Sequence, residues 1–201
     1  MTTRKKPHHP PEKTHFLWWC AAIICSILTL AVIIAGIVIF VGYIVIHPRI
    51  PIISVVNAHL NRFQFDMGGV LVTQVSIDVR SENDNSKAHA SFSRLNLTLI
   101  FDDMEIAHLV AGPYEVRKND SVVFNFLPTA GPIPLDMNQQ RDVDVAINED
   151  LIKFGLKGDA KARWRVGPLG SFGFQCHLDC QLKFHRSNGS YIPKRCTSKA
   201  K

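Results

Sequence analysis

A long uncharged run near the start of the chain constrains the fold more than any other feature. No charged side chain occurs from Phe16 to Ile46. About 20 apolar helical residues cross a bilayer core of about 30 Å, so this run is long enough to span a membrane. A cleavable signal would have a shorter apolar core followed by small residues, and a globular core helix would show polar residues every third or fourth position. We therefore expect a transmembrane signal-anchor helix over residues 17–46.

The residues that flank this run predict its orientation. Only one basic residue, Arg49, follows the run closely. Four basic residues precede it: Arg4, Lys5, Lys6 and Lys13. A basic flank stays on the cytosolic side, so residues 1–16 are expected to form a cytosolic tail, and the chain after about residue 47 to lie outside. The tail is short, basic and proline-rich, which predicts disorder. Aromatic rings favour the headgroup zone, so Trp18, Trp19 and Tyr43 are the expected membrane-interface residues.

The part of the chain after the run has the size of one ordinary domain. From His47 onward it contains 19 Lys and Arg against 16 Asp and Glu. This mild positive balance gives no support to nucleic-acid binding. The expected partners are the lipid bilayer and a protein or cell-wall component outside the cell, and self-association of the chain is left open.

Hydrophobic residues alternate with polar ones through most of this outer part, which is typical of strands with one packed face and one wet face. Gly-, Pro-, Asn- and Asp-containing turns separate the alternating segments. The expected strands are VLVTQVSIDVR (70–80), RLNLTLIF (94–101), SVVFNF (121–126), DVDVAI (142–147), AKARWRV (160–166) and FGFQCHLDCQLKF (172–184).

One segment of the outer part breaks this alternation. In NEDLIKFGLKG (148–158), Asn148 is a plausible N-cap and Gly158 follows the last apolar residue, so we expect one short helix there. Many strands with one helix predict a mainly β fold, an antiparallel β-sandwich.

Three glycosylation sequons support an extracytosolic location for this domain. They begin at Asn96, Asn119 and Asn188. The alternation places Asn96 on the solvent face of its strand, and the other two lie in expected turns. The alternative for each is an unmodified polar residue.

The cysteines of the outer part predict a disulfide. Cys176 and Cys180 are four residues apart on one strand, about 13 Å, which is too far for them to pair with each other. Either of them is a candidate partner of Cys196, and the remaining one is then a buried or free thiol. A zinc site is disfavoured because the nearest histidine, His177, points to the opposite face.

No catalytic motif is recognisable, and no cofactor or metal site is expected. The sequence contains no GxSxG, HExxH or P-loop pattern. One charged stripe, Lys161, Arg163 and Arg165, follows an expected strand face. It is either a solvated sheet face or a surface for an acidic partner or lipid headgroup. Binding, structural or signalling roles are therefore favoured over an enzyme.

The arrangement of a basic tail, a span, HPRIP and a strand-rich domain resembles the NDR1/HIN1-like plant proteins, whose outer domain belongs to the late embryogenesis abundant LEA-2 (LEA14-like) group. ARWRVG is similar to a family signature at Arg163, Trp164, Arg165, Val166 and Gly167, and Cys196 lies where members often carry a late cysteine. A family Asn-Pro-Asn motif appears here as Asn83, Asp84 and Asn85. The family's PPFYQ segment appears as GPYEV, a second departure.

The resemblance implies a fibronectin type III-like sandwich at residues 67–186, after a membrane-proximal segment and first strand at 47–66 and before a basic tail at 187–201. It also implies a plasma-membrane protein, reached through the secretory pathway, that takes part in plant defence or hypersensitive-type signalling and is not an enzyme. The first hypothesis is an extracellular module that binds a protein or the cell wall. The alternative is a lipid-binding or dehydration-protective domain, which an apolar cleft between the sheets would favour.

Overall fold

The computed structural model describes residues 14–46, 50–86, 88–165 and 171–200. Most of the expected cytosolic tail, together with Val166 and Gly167, lies outside the described residues. By its contacts the chain forms two units, Met1–His47 and Pro48–Lys201.

The first unit contains helix α1, Thr14–Ile46. Its segment Trp18–Gly42 is 25 residues long and apolar enough to cross a membrane, and its side chains are not buried by the protein. At about 1.5 Å per residue this segment is ~37 Å long, more than a bilayer core requires. The Thr29 hydroxyl donates a 2.7 Å hydrogen bond to the carbonyl oxygen of Cys25, so this polar group is satisfied inside the helix. The helix fits a membrane anchor.

The second unit consists of eleven described strands and one short helix, and the prediction of a mainly β fold is confirmed. The helix is α2 (Met137–Asn148). The strands are β1 (Ile52–Phe65), β2 (Val70–Asn83), β3 (Ala90–Phe101), β4 (Met104–Ala111), β5 (Tyr114–Val116), β6 (Asp120–Phe126), β7 (Thr129–Pro134), β8 (Leu151–Arg165), β9 (Ser171–His185), β10 (Tyr191–Ile192) and β11 (Lys199–Ala200).

The strands form two antiparallel sheets. In the four-stranded sheet the order is β1-β2-β6, and β7 pairs with the other end of β2. In the seven-stranded sheet the order is β10-β9-β8-β3-β4, with β11 also pairing with β9 and β5 with β3. The alternation of apolar residues directs one face of each sheet inward, as in a sandwich.

The core between the sheets is filled by apolar side chains. Its largest members are Trp164, Phe92, Phe154 and Phe184, each less than 2% exposed. Burial of large aromatic and aliphatic side chains is the main source of stability in such a domain. The inward positions of Trp164 and Phe184 agree with the alternation expected for residues 160–166 and 172–184.

The expected helix at 148–158 is wrong, because strand β8 begins at Leu151 and continues to Arg165. Ile152, Phe154 and Leu156 are all fully buried at every second position, which is the period of a strand. The row of inward-facing residues that ends at Trp164 therefore starts at Ile152 and not at Ala160. Gly158 is an interior strand residue, where a Cβ would clash with the Asn96 carbonyl oxygen of β3.

The expected strand at 142–147 is also wrong, because these residues belong to α2. Asp136 caps the helix by accepting hydrogen bonds from the backbone N–H groups of Asn138 and Gln139. The Gln139 side chain accepts a hydrogen bond from the Asp136 N–H in return, which completes a capping box. Only Val143 of the helix is fully buried, whereas Val145 is 52% exposed. The alternation of Val and Asp thus does not reflect a strand.

Candidate functional site

The Asn83-Asp84-Asn85 motif forms a hydrogen-bonded junction at the end of β2. Asn83 is fully buried, and its Nδ2 donates to the carbonyl oxygens of three residues: Ala88 (2.9 Å), Val116 (3.2 Å) and Arg117 (3.0 Å). Its Oδ1 accepts the backbone N–H of Asn85 at 3.2 Å. A buried amide with these partners joins β2 to the start of β3 and the end of β5, so the motif is structural in this chain.

Described side chains of the ARWRVG motif lie both in the core and on the surface. Trp164 is 1% exposed and packs against Phe174 with ring centroids 4.3 Å apart. Arg163, next to it on β8, is exposed on the outer face of the seven-stranded sheet. The Arg165 side chain lies outside the described residues.

The structure joins Cys180 to Cys196 by a disulfide, with Cα atoms 5.5 Å apart. This is one of the two pairings that the sequence left open. Cys176 is a buried free thiol, and its Sγ donates to the Pro51 carbonyl oxygen at 3.4 Å. Burial raises the pKa of Cys176 to about 11. The thiol is therefore protonated and poorly reactive at neutral pH.

Residues 196–200, here called the C-terminal clasp, bridge the two sheets along one edge. The N–H of Val55 in β1 donates to the Cys196 carbonyl oxygen at 3.1 Å, and the N–H of Ser198 donates to the Ile53 carbonyl oxygen at 2.7 Å. Strand β11 of the clasp pairs with β9 of the other sheet. The clasp thereby satisfies backbone groups of β1 that would otherwise form an exposed sheet edge.

The three sequon asparagines lie in different surroundings. Asn119 has φ 48° in the turn before β6, and Asn188 is exposed in the turn between β9 and β10. Asn96 is half-buried on the outer face of β3, a strand with neighbours on both sides. Its sequon partner Thr98 is also half-buried. Glycosylation remains a prediction for all three.

A surface cavity of about 590 Å³ lies between α2 and one end of the seven-stranded sheet. Its acidic side chains include Asp102, Asp142 and Glu149, and Lys153 and Lys157 line it as well. Burial raises the pKa of Asp102, and the nearby charge of Asp142 adds to this effect. No histidine or cysteine thiol joins these carboxylates to build a nucleophilic or acid–base constellation among the residues described.

A second depression, of about 410 Å³, lies on the outer face of the same sheet and is lined by Ser93, Arg94, Asn96, Asp159 and Lys161. It contains two members of the sequence-predicted sites, Asn96 and the basic-stripe residue Lys161. The contribution of Arg94 was missed, because the alternation alone does not show which residues of β3 and β8 are opposite each other.

Two of the three expected membrane-interface residues, Trp18 and Trp19, lie at the N-terminal end of the candidate span. Trp18 is 78% and Trp19 is 68% exposed in helix α1, and their contact with lipid headgroups stays a prediction. The Tyr43 side chain lies outside the described residues. Within the described parts of the chain, no group of three or more His, Cys, Asp or Glu side chains is arranged to hold a metal ion.

Comparison with known proteins identifies two relatives in Arabidopsis thaliana. NDR1/HIN1-like protein 12 is 24% identical over 163 residues, which cover 80% of this chain and 77% of the relative. NDR1/HIN1-like protein 3 is 20% identical over 182 residues, 87% of this chain and 79% of the relative. No protein-family model matches the chain.

Solved structures are similar to the chain at a low level. A crystal structure of a protein from Archaeoglobus fulgidus is 11% identical with a TM-score of 0.32, and the match covers 64% of this chain and 95% of that one. A solution structure of a putative late embryogenesis abundant protein is 13% identical with a TM-score of 0.30, and the match covers 89% of this chain and 94% of that one.

Proposed function

The chain is a homologue of the NDR1/HIN1-like proteins, and from this premise we propose that it is a single-pass plasma-membrane protein whose β-sandwich lies outside the cell. There the sandwich acts as a non-enzymatic binding module in plant defence signalling, through contact with a protein or with the cell wall. The N-terminus faces the cytosol, and the domain reaches the surface through the secretory pathway.

The observation that carries the proposal is the order of two features along one chain. An apolar helix of membrane-spanning length precedes the sandwich, and the sandwich contains the Cys180–Cys196 disulfide. Disulfides persist in the secretory pathway and outside the cell, whereas cytosolic thiols are kept reduced. The basic residues before the helix give the same orientation.

A binding role rather than lipid carriage is supported by the packing of the domain. The space between the sheets is occupied by buried side chains from both of them, including Leu71, Ile77, Leu97 and Leu156, each at 0% exposure. A lipid-binding cleft would require a sizeable apolar cavity at this place. The depression on the outer face of the seven-stranded sheet is instead lined by charged and polar side chains, and the cavity beside α2 has a mixed lining of charged and apolar residues.

The proposed location is tested by expressing the full chain in plant cells and treating isolated plasma membranes with an N-glycosidase. We expect the protein to migrate faster after treatment, and the shift to be smaller in Asn119→Gln and in Asn188→Gln. The disulfide gives an independent readout, because Cys180 and Cys196 should resist alkylation until a reductant is added. Cys180 and Cys196 found reduced in freshly lysed cells, together with no glycosidase shift, would contradict the proposed location.

A further inference from the structure

The outer face of the seven-stranded sheet contains a β-bulge that brings two cations together. On β3, Phe92 lies opposite Ala162 of β8, but Arg94 lies opposite Lys161, so Ser93 is the extra residue. The Ser93 hydroxyl donates a 3.2 Å hydrogen bond to the Lys161 carbonyl oxygen, which holds the bulge against β8. Bulges redirect side chains and are frequent next to functional sites.

The bulge creates an arrangement that a sheet ordinarily avoids. Arg94 and Lys161 are both exposed and directly opposite each other, and like charges in this position destabilise a pair of strands. Arg163 adds a third exposed positive charge two residues further along β8. Among the described residues, no ion pair joins any of these three cations to an acid. Two cations, Arg94 and Lys161, line the depression with a single acid, Asp159, so its lining has an excess of positive charge that an anionic ligand would neutralise.

Hydrogen-bonding groups lie beside these cations in the 410 Å³ depression. Asn96 and Asp159 are opposite each other on β3 and β8, and both are half-buried in its wall with Ser93 nearby. An ionised Asp159 accepts hydrogen bonds and donates none. The site thus offers positive charge to a carboxylate and, beside it, an acceptor suited to a hydroxyl group.

We propose that this depression binds uronate units of an acidic polysaccharide. A uronate carries a carboxylate for Arg94 and Lys161, and sugar hydroxyl groups that donate to Asp159 and bond with Asn96 and Ser93. Acidic peptides and phosphates would satisfy the cations, but they lack the row of hydroxyl donors that would bond to Asp159. A lipid surface is disfavoured because none of the five lining side chains is apolar. This inference rests on the proposed extracellular location and deepens the wall-binding part of it.

Asn96, which begins the first sequon, lies in the wall of this depression. A glycan on Asn96 would occupy the depression, so the sugar ligand and an attached glycan are mutually exclusive there. The polysaccharide-binding form of the protein therefore has an unmodified Asn96, and the exposed turn residues Asn119 and Asn188 carry the glycans. Peptide mapping of the protein purified from plant membranes tests this, and near-complete glycan occupancy at Asn96 would overturn the proposal.

The direct test measures binding of the full chain, held in phosphatidylcholine nanodiscs, to de-esterified oligogalacturonate. The variant Arg94→Gln with Lys161→Gln should weaken binding by at least about tenfold, since charge-assisted hydrogen bonds are lost. The matched control is Lys153→Gln with Lys183→Gln, which removes two opposed cations from the other end of the same sheet face. The control should bind within about twofold of the wild type. Methyl-esterified oligogalacturonate, which lacks the charge, should bind weakly to every variant.

Stability and competing ligands complete the test. The melting temperature of the Arg94/Lys161 variant should equal or exceed that of the wild type, because a like-charge pair is relieved. Equal losses of binding affinity in the two double variants would show non-specific attraction and overturn the site. The absence of measurable binding by the wild type would overturn it as well. Wild-type binding to polyglutamate or to phosphatidylserine nanodiscs as tight as to oligogalacturonate would overturn the sugar assignment. Because binding is measured in vitro, its failure is distinguishable from a failure of the proposed topology.

Discussion

At the scale of single residues, the most informative side chain is Asn83, an uncharged polar group with no exposure at the edge of an apolar core. In the sequence, Asn83 is noticeable only as part of Asn83-Asp84-Asn85, which differs from the family's Asn-Pro-Asn motif. Its role follows from the three carbonyl oxygens that it reaches, and two of these, on Val116 and Arg117, come from a segment that is distant in the sequence. No local pattern predicts such contacts, because they depend on how the two sheets meet.

Replacing Asn83 by Ala should lower the free energy of unfolding by about 3 kcal/mol, because buried carbonyl oxygens lose their donor. Urea denaturation of the variant measures this loss. The control is Asn125→Ala, whose side chain bonds to Asp78 on the exposed face of the four-stranded sheet. A loss at Asn83 no greater than that at Asn125 would contradict the structural role of the motif.

Asp102 predicts a dependence of stability on pH. Its pKa is raised in the folded state, first by burial and then by Asp142, so its ionised form opposes folding. This unfavourable contribution is present at neutral pH and disappears as the pH falls through the folded-state pKa. Asp102→Asn should therefore raise the melting temperature at pH 7 and have less effect near pH ~4. Asn tolerates the positive φ of 46° at this position.

The comparison for this effect is Asp144→Asn, an exposed carboxylate on α2. It should change the melting temperature less at pH 7. A destabilising effect of Asp102→Asn at neutral pH would show that the carboxylate is favourable in the folded protein.

At the scale of elements, the alternation of apolar residues predicted the long strands well and failed around α2. β2, β3 and β9 have one buried face each, so a period of two is visible in their sequences. At residues 142–147 the period of two is misleading, because Val143 and Val145 alternate with acidic residues within a helix. The useful signal there is the capping box of Asp136 and Gln139, which marks the start of the helix.

The capping box gives a prediction at this scale. Asp136→Ala should destabilise the domain by about 1 kcal/mol, since two backbone N–H groups at the helix start lose their acceptor. Denaturant unfolding measures the change. Asp144→Ala in the middle of the same helix is the matched control and should have a smaller effect. Equal effects would indicate that the cap contributes nothing beyond the loss of a charge.

At the scale of the whole molecule, the C-terminal clasp joins the two sheets, and the Cys180–Cys196 disulfide fastens it. The sequence predicted that Cys196 would pair with one of two cysteines. It did not predict the contacts of the clasp with β1, because the tail residues are polar and show no strand period. Long-range pairing of this kind is a property of the assembled sandwich.

Removing the disulfide should loosen this edge of the domain. The variant Cys180→Ala with Cys196→Ala is expected to lose about 3 kcal/mol of stability, as is typical for a bridge closing a loop of this length. Hydrogen exchange at the amides of Val55 and Ser198 should become faster, while that of central strand β3 changes less. Reduction of the wild type should reproduce the effect and leave the variant unchanged. Unchanged exchange at both amides would show that hydrogen bonds alone hold the clasp.

The central claim is that the sandwich lies on the side of the membrane opposite to the basic N-terminus. The most direct measurement is protease treatment of sealed vesicles derived from the endoplasmic reticulum, with antibodies against each end of the full chain. We predict that an intact fragment containing residues 50–201 survives until detergent is added, whereas the N-terminal epitope is lost at once. Digestion of the sandwich without detergent, while the N-terminal epitope stays protected, would contradict the proposed orientation. It would also contradict the proposed binding role outside the cell.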